Sequence, residues 1–342
     1  MPCEVIVTRD FDHMSEVAAR FLLDDLRDTL ARKPKYVVGF ATGNTPTGFY
    51  KHLAKSGNDG AFDPSRVVSF NLDEYVGLPG ENPQQRTLHP QSYTFFMVQE
   101  LFGLLRKKFA ETNVPWGILI DQERLAAELE AHREDWTMQG TKAAHAIVIS
   151  TSARSPYLRW IREKILVAYE RKIENAGGID LQVVGVGQRG HVGFHEAGIP
   201  FDSNTMLLVK LDENTIANAI QDGHFASRER SPAYAVSMGA PLIFRARTVM
   251  LMANGSRKAE VVAESLLREP DCAIPISYGQ TYARQGGRLL YVLDKVAAAR
   301  VLQEADAITR RGALIRDISG QGASVRVEDL RFSRDPKTGL MG

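Results

Sequence analysis

Four short stretches of this chain hold residues able to move protons and bind an anion. Asp73 and Glu74 are adjacent in Phe70-Asn71-Leu72-Asp73-Glu74-Tyr75. His191 follows Gly187-Gln188-Arg189-Gly190, and His195 and Glu196 come shortly after it. Lys258 closes Asn254-Gly255-Ser256-Arg257-Lys258, and Thr42-Gly43-Asn44-Thr45-Pro46-Thr47-Gly48 crowds hydroxyls and glycines into one turn. A carboxylate suits abstraction of a carbon-bound proton, and a histidine near neutrality both gives and takes protons. Lysine, threonine hydroxyls and free amides at a helix start suit a phosphate. Together they would serve proton-transfer chemistry on a small phosphorylated molecule.

Each stretch also has a plainer account. Adjacent carboxylates in an extended chain point to opposite sides, so only one of Asp73 and Glu74 faces a ligand. Asp73 could instead cap a helix. Thr42–Gly48 could be an ordinary strand-to-helix turn; it is neither a Walker A loop nor a dinucleotide fingerprint. The i, i+4 spacing of His191 and His195 would suit a metal on a helix. Gly187, Gly190 and Gly193 argue against a helix there and the H-E-x-x-H order is absent, so no metal is assigned. One histidine on a glycine-rich loop, oriented by a carboxylate, is the better reading. Lys258 could be a solvated surface lysine.

The elements that must position these groups follow from hydrophobic periodicity. Glu4–Thr8, Tyr36–Ala41, Val67–Asn71, Ala146–Ser150, Leu181–Val186, Thr248–Ala253 and Leu289–Leu293 read as strands. Met14, Val17, Ala18, Phe21, Leu22 and Leu26 fall on one helical face, as do Ile161, Ile165, Leu166, Tyr169 and Ile173. The alternation predicts an α/β fold: a single open, mostly parallel, Rossmann-like sheet flanked by helices. Ligands of such sheets sit beyond the carboxyl ends of the strands, where all four stretches lie. The domain is expected over residues 1–305, with a C-terminal extension at 306–342. Ile318–Gly342 is polar and glycine-dotted and reads as an appendage or partly ordered tail.

Composition narrows the function classes. Lys+Arg 42 against Asp+Glu 41 gives a net charge of +1, which argues against binding nucleic acid through bulk charge. No long apolar run predicts a membrane span. With only Cys3 and Cys272 and no signal peptide, a reducing cytoplasm is expected. The chain runs straight into Glu4–Thr8, so no DNA-binding module is expected ahead of the domain.

Taken together, Ala41–Tyr50, Phe70–Leu78 with Ser92-Tyr93, Asp180–Glu196 and Asn254–Lys258 resemble the glucosamine-6-phosphate deaminase family. That family lies within a larger group that includes the 6-phosphogluconolactonases. The resemblance covers most of residues 1–305. It implies aldose–ketose isomerisation with loss of ammonia from an amino-sugar phosphate, with no metal and no organic cofactor. It matches Asp73 to the base that moves a proton between C2 and C1, and His191 to the residue that opens the pyranose ring. It matches Glu196 to a carboxylate assisting that histidine, and Thr42, Gly43, Thr45 and Lys258 to the phosphate set. Asn44 stands in the same turn where the family has glycine. Tyr93 matches an aromatic residue of the substrate lid.

The chain departs from the family pattern at several places. Arg189 stands where the family has aspartate, two residues before the histidine. The family's phosphate-clamping arginine falls on Ile220. The basic residues of the allosteric site lack matches near Ser203–Leu208. Asp121–Tyr157 and a few residues around Gln85–His89 are additional, and are expected to reshape a lid or a face between copies of the chain. Arg189, on its loop, is expected to face the pocket and bind an anionic group of the substrate, since an unpaired buried guanidinium is costly. The implied partner is a small sugar phosphate, with homo-oligomers open. A sugar-phosphate lactonase and a catalytically impaired sugar-phosphate-binding protein are the competing readings.

Overall fold

Apolar residues alternate between two buried faces along each central strand, which is why these strands read as continuous hydrophobic runs rather than as alternating patterns. The structure, a computed structural model, describes residues 3–140, 145–221, 223, 225–228 and 230–332. Among these, the strands in chain order are β1 (Cys3–Thr8), β2 (Tyr36–Phe40), β3 (Val67–Asn71), β4 (Asp73–Val76), β5 (Glu111–Asn113), β6 (Trp136–Gly140), β7 (His145–Ile149), β8 (Leu181–Val184), β9 (Met206–Lys210), β10 (Tyr234–Met238), β11 (Thr248–Ala253), β12 (Arg288–Asp294) and β13 (Ala313–Asp317). Eight of them form a sheet in the order β13-β1-β12-β11-β8-β2-β3-β5, in which every pairing is parallel. On one face Val249, Leu251, Leu289 and Tyr291 pack under the helical stretch Pro156–Asn175 and the helix Ala259–Leu267. On the other, Val38, Phe40, Met250 and Val292 pack under the helices Phe11–Leu30 and Thr47–Asn58. Parallel pairing with helices on both faces is the expected α/β architecture.

A second, antiparallel sheet in the order β4-β10-β9-β7-β6 was not legible in the sequence. The chain passes from one sheet to the other at Leu72, whose amide bonds the Phe40 carbonyl while its own carbonyl accepts from the Met238 amide. Asp73 therefore opens β4 rather than trailing β3, and it does not cap a helix. The expected strand Ala146–Ser150 corresponds to β7 and lies in this second sheet, not among the parallel strands.

The additional segment Asp121–Tyr157 supplies a helix, Gln122–Ala131, capped by Asp121, and the strands β6 and β7. These strands lie at the edge of the small sheet opposite β4, away from Asp73. The residues around Gln85–His89 include the helix Pro83–Thr87, which is tied to Asp121 through Arg86 at 3.3 Å. At the C-terminus, β13 lies beyond residue 305 and pairs with β1 as an edge of the large sheet. Past it, the chain runs along the helix Phe11–Leu30: the Val327 amide donates to Asp12 Oδ1 at 3.1 Å and the Ser324 hydroxyl donates to Glu16. The tail is thus docked as far as Phe332, and residues 333–342 lie outside the described residues.

Candidate active site

The carboxyl ends of β2, β3, β8 and β11 converge on a cavity of about 550 Å³. Thr42, Gly43, Asn44, Thr45, Asp73, Tyr93, His191 and Lys258 all line it. Eight of the ten residues singled out in the sequence are therefore brought to one wall-to-wall space. Glu196 and Arg189 are not among the lining residues.

The two turns at one end are stitched together. Thr45 Oγ1 donates to Asn254 Oδ1 at 2.8 Å, joining the turn after β2 to the turn after β11. The Gly255 amide donates to Asp294 at 3.1 Å, which fixes the second turn against β12. The Thr45 hydroxyl is thus committed to Asn254. The amides of Gly43, Asn44 and Thr45 donate to no oxygen among the described residues, so they are the groups that turn can offer an anion. Arg257 and Lys258 line the cavity side by side with Ser256.

At the other end, Asp73 is 5% exposed and its Oδ1 has no hydrogen-bond partner among the described residues. Burial, and then the charge of Glu74, pushes its pKa well above the ordinary carboxylate value. Glu74 points the other way, as expected of adjacent residues on a strand. It accepts hydrogen bonds from the Ser92 hydroxyl at 2.9 Å and from the Tyr93 and Thr94 amides at 3.0 Å. A carboxylate on the first amides of the helix Tyr93–Met97 fixes the start of that helix, and with it Tyr93 over the cavity. The Tyr93 ring stacks on Phe194 at 6.0 Å and sits 5.0 Å from the Tyr75 ring.

The histidine loop is glycine-rich because its backbone is crowded. A Cβ on Gly187 would fall 2.1 Å from His191 Nε2, and one on Gly193 would fall 3.3 Å from Asp73 Oδ2. The loop thus leaves no room for a side chain at Gly187, beside His191, or at Gly193, beside Asp73. His191 Nδ1 lies 3.3 Å from Glu196 Oε2, and Thr215 Oγ1 donates to Glu196 Oε1 at 2.6 Å. Burial opposes ionisation of Glu196, yet His191, Thr215 and Arg189 together hold its pKa below the ordinary value. An anion on Nδ1 fixes the tautomer that carries its proton there, leaving Nε2 to act on the cavity side.

His195 has a different task. Its Nδ1 accepts from the Ala240 amide at 3.0 Å and its Nε2 donates to the Ile199 carbonyl at 3.1 Å. Both ring nitrogens serve the backbone, and burial lowers its pKa to about 4. It is a structural histidine, so the i, i+4 spacing does not mark a shared ligand set.

Arg189 departs from expectation. Its Nη1 sits 2.6 Å from Asp212 Oδ2, and it is not among the residues lining the cavity. The anion it meets is a carboxylate of the chain, at the residue before the helix Glu213–Gln221. Ile220 packs against the small sheet's apolar cluster with Tyr93.

Sequence reading missed the supporting roles of Glu74, Asn254, Asp294 and Thr215, and the place of Arg257 on the cavity wall. Asn254 and Arg257 stand in the quoted stretch beside Lys258, and a strand-end reading would have reached them. Thr215 and Asp212 carry no local signal, since their contacts cross from another element.

Residues 116–286 match the family described as glucosamine-6-phosphate isomerases/6-phosphogluconolactonase. A glucosamine-6-phosphate deaminase of Clostridium perfringens is 35% identical over 279 residues, spanning 81% of this chain and 93% of that one. One from Thermoanaerobacter sp. strain X514 is 32% identical over 301 residues, spanning 88% and 96%. Among solved structures, a monomeric glucosamine-6-phosphate deaminase superposes with a TM-score of 0.64 at 26% identity, spanning 87% of this chain and 99% of that one. By that match and those identities, this chain belongs to the glucosamine-6-phosphate isomerase and 6-phosphogluconolactonase family.

Proposed function

We propose that this chain converts an amino-sugar phosphate, glucosamine 6-phosphate, to the ketose phosphate with release of ammonia. The observation that carries the reading is Asp73: a buried carboxylate with an oxygen unpartnered among the described residues, on the cavity wall beside the His191 loop. In the closed sugar, His191 Nε2 takes the proton of the anomeric hydroxyl and returns a proton to the ring oxygen, which opens the ring. Asp73 then removes the proton at C2 of the open chain while the C1 carbonyl oxygen takes a proton from the substrate's ammonium, and Asp73 delivers its proton to C1, so the enolamine becomes a protonated ketimine. One water adds at C2 and one ammonia leaves, giving fructose 6-phosphate. A desolvated carboxylate is a stronger base than one in water, and the substrate's ammonium offsets the cost of its charge.

The phosphate binds at the other end, on the amides of Gly43, Asn44 and Thr45 and on Lys258. Arg257, at the same wall, supplies the second cation that Ile220 cannot. Tyr93 covers the sugar. The pair Asp73-Glu74 and the 32–35% identity to deaminases favour this reading over a lactonase. The retained Asp73, His191 and Glu196 favour it over a sensor without turnover. A panel of hexosamine 6-phosphates, their N-acetyl forms and the unphosphorylated sugars, assayed for ammonia and ketose, tests it. Ammonia and ketose in equal amounts from a free-amine 6-phosphate are expected. Lactone hydrolysis without ammonia release, or ligand-induced thermal stabilisation without any turnover, would overturn the reading.

A further inference from the structure

The histidine loop is held at both of its ends by one short stretch of chain. At one end Arg189 meets Asp212 at 2.6 Å; at the other Glu196 accepts from Thr215 at 2.6 Å. Asp212 and Thr215 stand together at the start of the helix Glu213–Gln221, where the Ile216 amide bonds the Asp212 carbonyl at 3.1 Å. The Asp212 side chain is 2% exposed, whereas that of Arg189 is 47% exposed, so the pair is anchored on its carboxylate side.

We propose that the Arg189–Asp212 pair is a clasp that positions the ring-opening histidine: it seats the helix start on the loop, so that Thr215 reaches Glu196 and Glu196 orients His191. This inference rests on the reading that His191 opens the sugar ring. Arg189 is thus a positioning residue and not a substrate ligand. The loop charge is also opposite to that of the family pattern, which has aspartate at this place. Here the loop carries the cation and the neighbouring element carries the anion.

The reversal has a consequence that separates the clasp from a mere loss of the family aspartate. Restoring that aspartate by R189D would set a new carboxylate beside Asp212 and Glu196, both buried. Like charges at such distances disfavour one another's ionisation. R189D therefore lowers activity further than R189A does, instead of recovering it.

The charged and titratable groups around Glu196 are His191, Arg189, the neighbouring His195 and the Tyr75 phenol, with Asp212 facing Arg189. Because Arg189 favours the ionised form of Glu196, its removal moves the acid limb of the rate profile to higher pH.

The test is steady-state ammonia release from glucosamine 6-phosphate across pH, for the wild type, R189A, R189K, R189D and D212N. R189A and D212N are expected to lower kcat about tenfold or more, with KM changed less than about threefold, and R189A is expected to move the acid limb upward. R189K, which keeps the cation, recovers most of kcat and the original profile. R189D falls below R189A. A rise in KM at unchanged kcat for R189A would make Arg189 a substrate ligand and overturn the clasp, as would any gain of activity by R189D. Should R189A fail to fold, D212N and R189K carry the same test through the split between kcat and KM. A wild type that releases no ammonia sinks the functional reading itself and the clasp with it, whereas an active wild type with unchanged variants sinks the clasp alone.

Discussion

At the proposed phosphate end of the cavity, backbone turns hang from β2 and β11, two strands locked inside the parallel sheet with only β8 between them. At the proton-transfer end, Asp73 opens an edge strand of the small sheet and His191 rides on a glycine-rich loop. The first end needs little from side chains: an oxyanion is met by amides whose direction the strand-to-helix turn already sets. The second end depends on side chains held by other side chains, Glu74 for Tyr93 and Glu196 with Thr215 for His191. Substitutions at the first end should weaken binding of phosphorylated ligands; substitutions at the second should slow turnover.

The largest expected effect is at Asp73. D73N is nearly isosteric but cannot accept the proton, so kcat should fall at least about 10²-fold while ligand binding persists. Stopped or steady-state ammonia assays beside ligand-induced thermal shifts check this, and near-wild-type turnover would remove Asp73 from the mechanism. Since its pKa is raised, the wild-type rate should fall with decreasing pH at a value above the ordinary carboxylate range.

His195 sharpens the contrast with His191 through stability. The native ring resists protonation down to about 4, whereas in the unfolded chain it titrates near 6.5. As pH falls below 6.5, the unfolded chain binds a proton that the native state refuses, so stability is lost between about 6.5 and about 4. The loss approaches about 3 kcal/mol. Urea unfolding of the wild type and H195Q across this range should show their difference shrink with falling pH. A difference that stays constant would mean the ring is not held neutral.

Lys258 comes next. K258A should weaken a sugar phosphate by about 1.5–3 kcal/mol, roughly 10- to 150-fold, and leave an unphosphorylated sugar nearly unaffected. Equal losses for both ligands would place Lys258 outside the phosphate end. The smallest effect is expected at Arg257, whose residue is exposed. R257A should cost at most about 1 kcal/mol, and that cost should fade with added salt. A loss as large as that of K258A, insensitive to salt, would make Arg257 a closed clamp and not a solvated one.

What the sequence could disclose follows the same division. The strands of the parallel sheet were legible because each is buried on both faces and so apolar throughout. The turns after them were legible because glycine, threonine and proline fix local geometry. The small sheet was not, since a single residue separates β4 from β3, and its partner β10, with β9 beyond it, lies more than a hundred residues further along the chain. Arg189 was read from its place in a motif, and the motif holds no trace of Asp212 on another element. The tail was read as loose from its polarity. Its contacts, Ser324 with Glu16 and Val327 with Asp12, are polar ones across more than 300 residues that no local pattern reveals.

The account turns on Asp73 as the group that takes the C2 proton. That step is observed most directly by following the C2 hydrogen of glucosamine 6-phosphate by proton NMR, in the wild type and in D73N, with a C2-deuterated substrate. The wild type is predicted to lose the C2 label in step with ammonia release, the label passing to C1 or to solvent. D73N is predicted to bind the substrate and leave the label at C2 throughout a long incubation. Loss of the C2 label from D73N at close to the wild-type rate would contradict the account, because another group would then be the base.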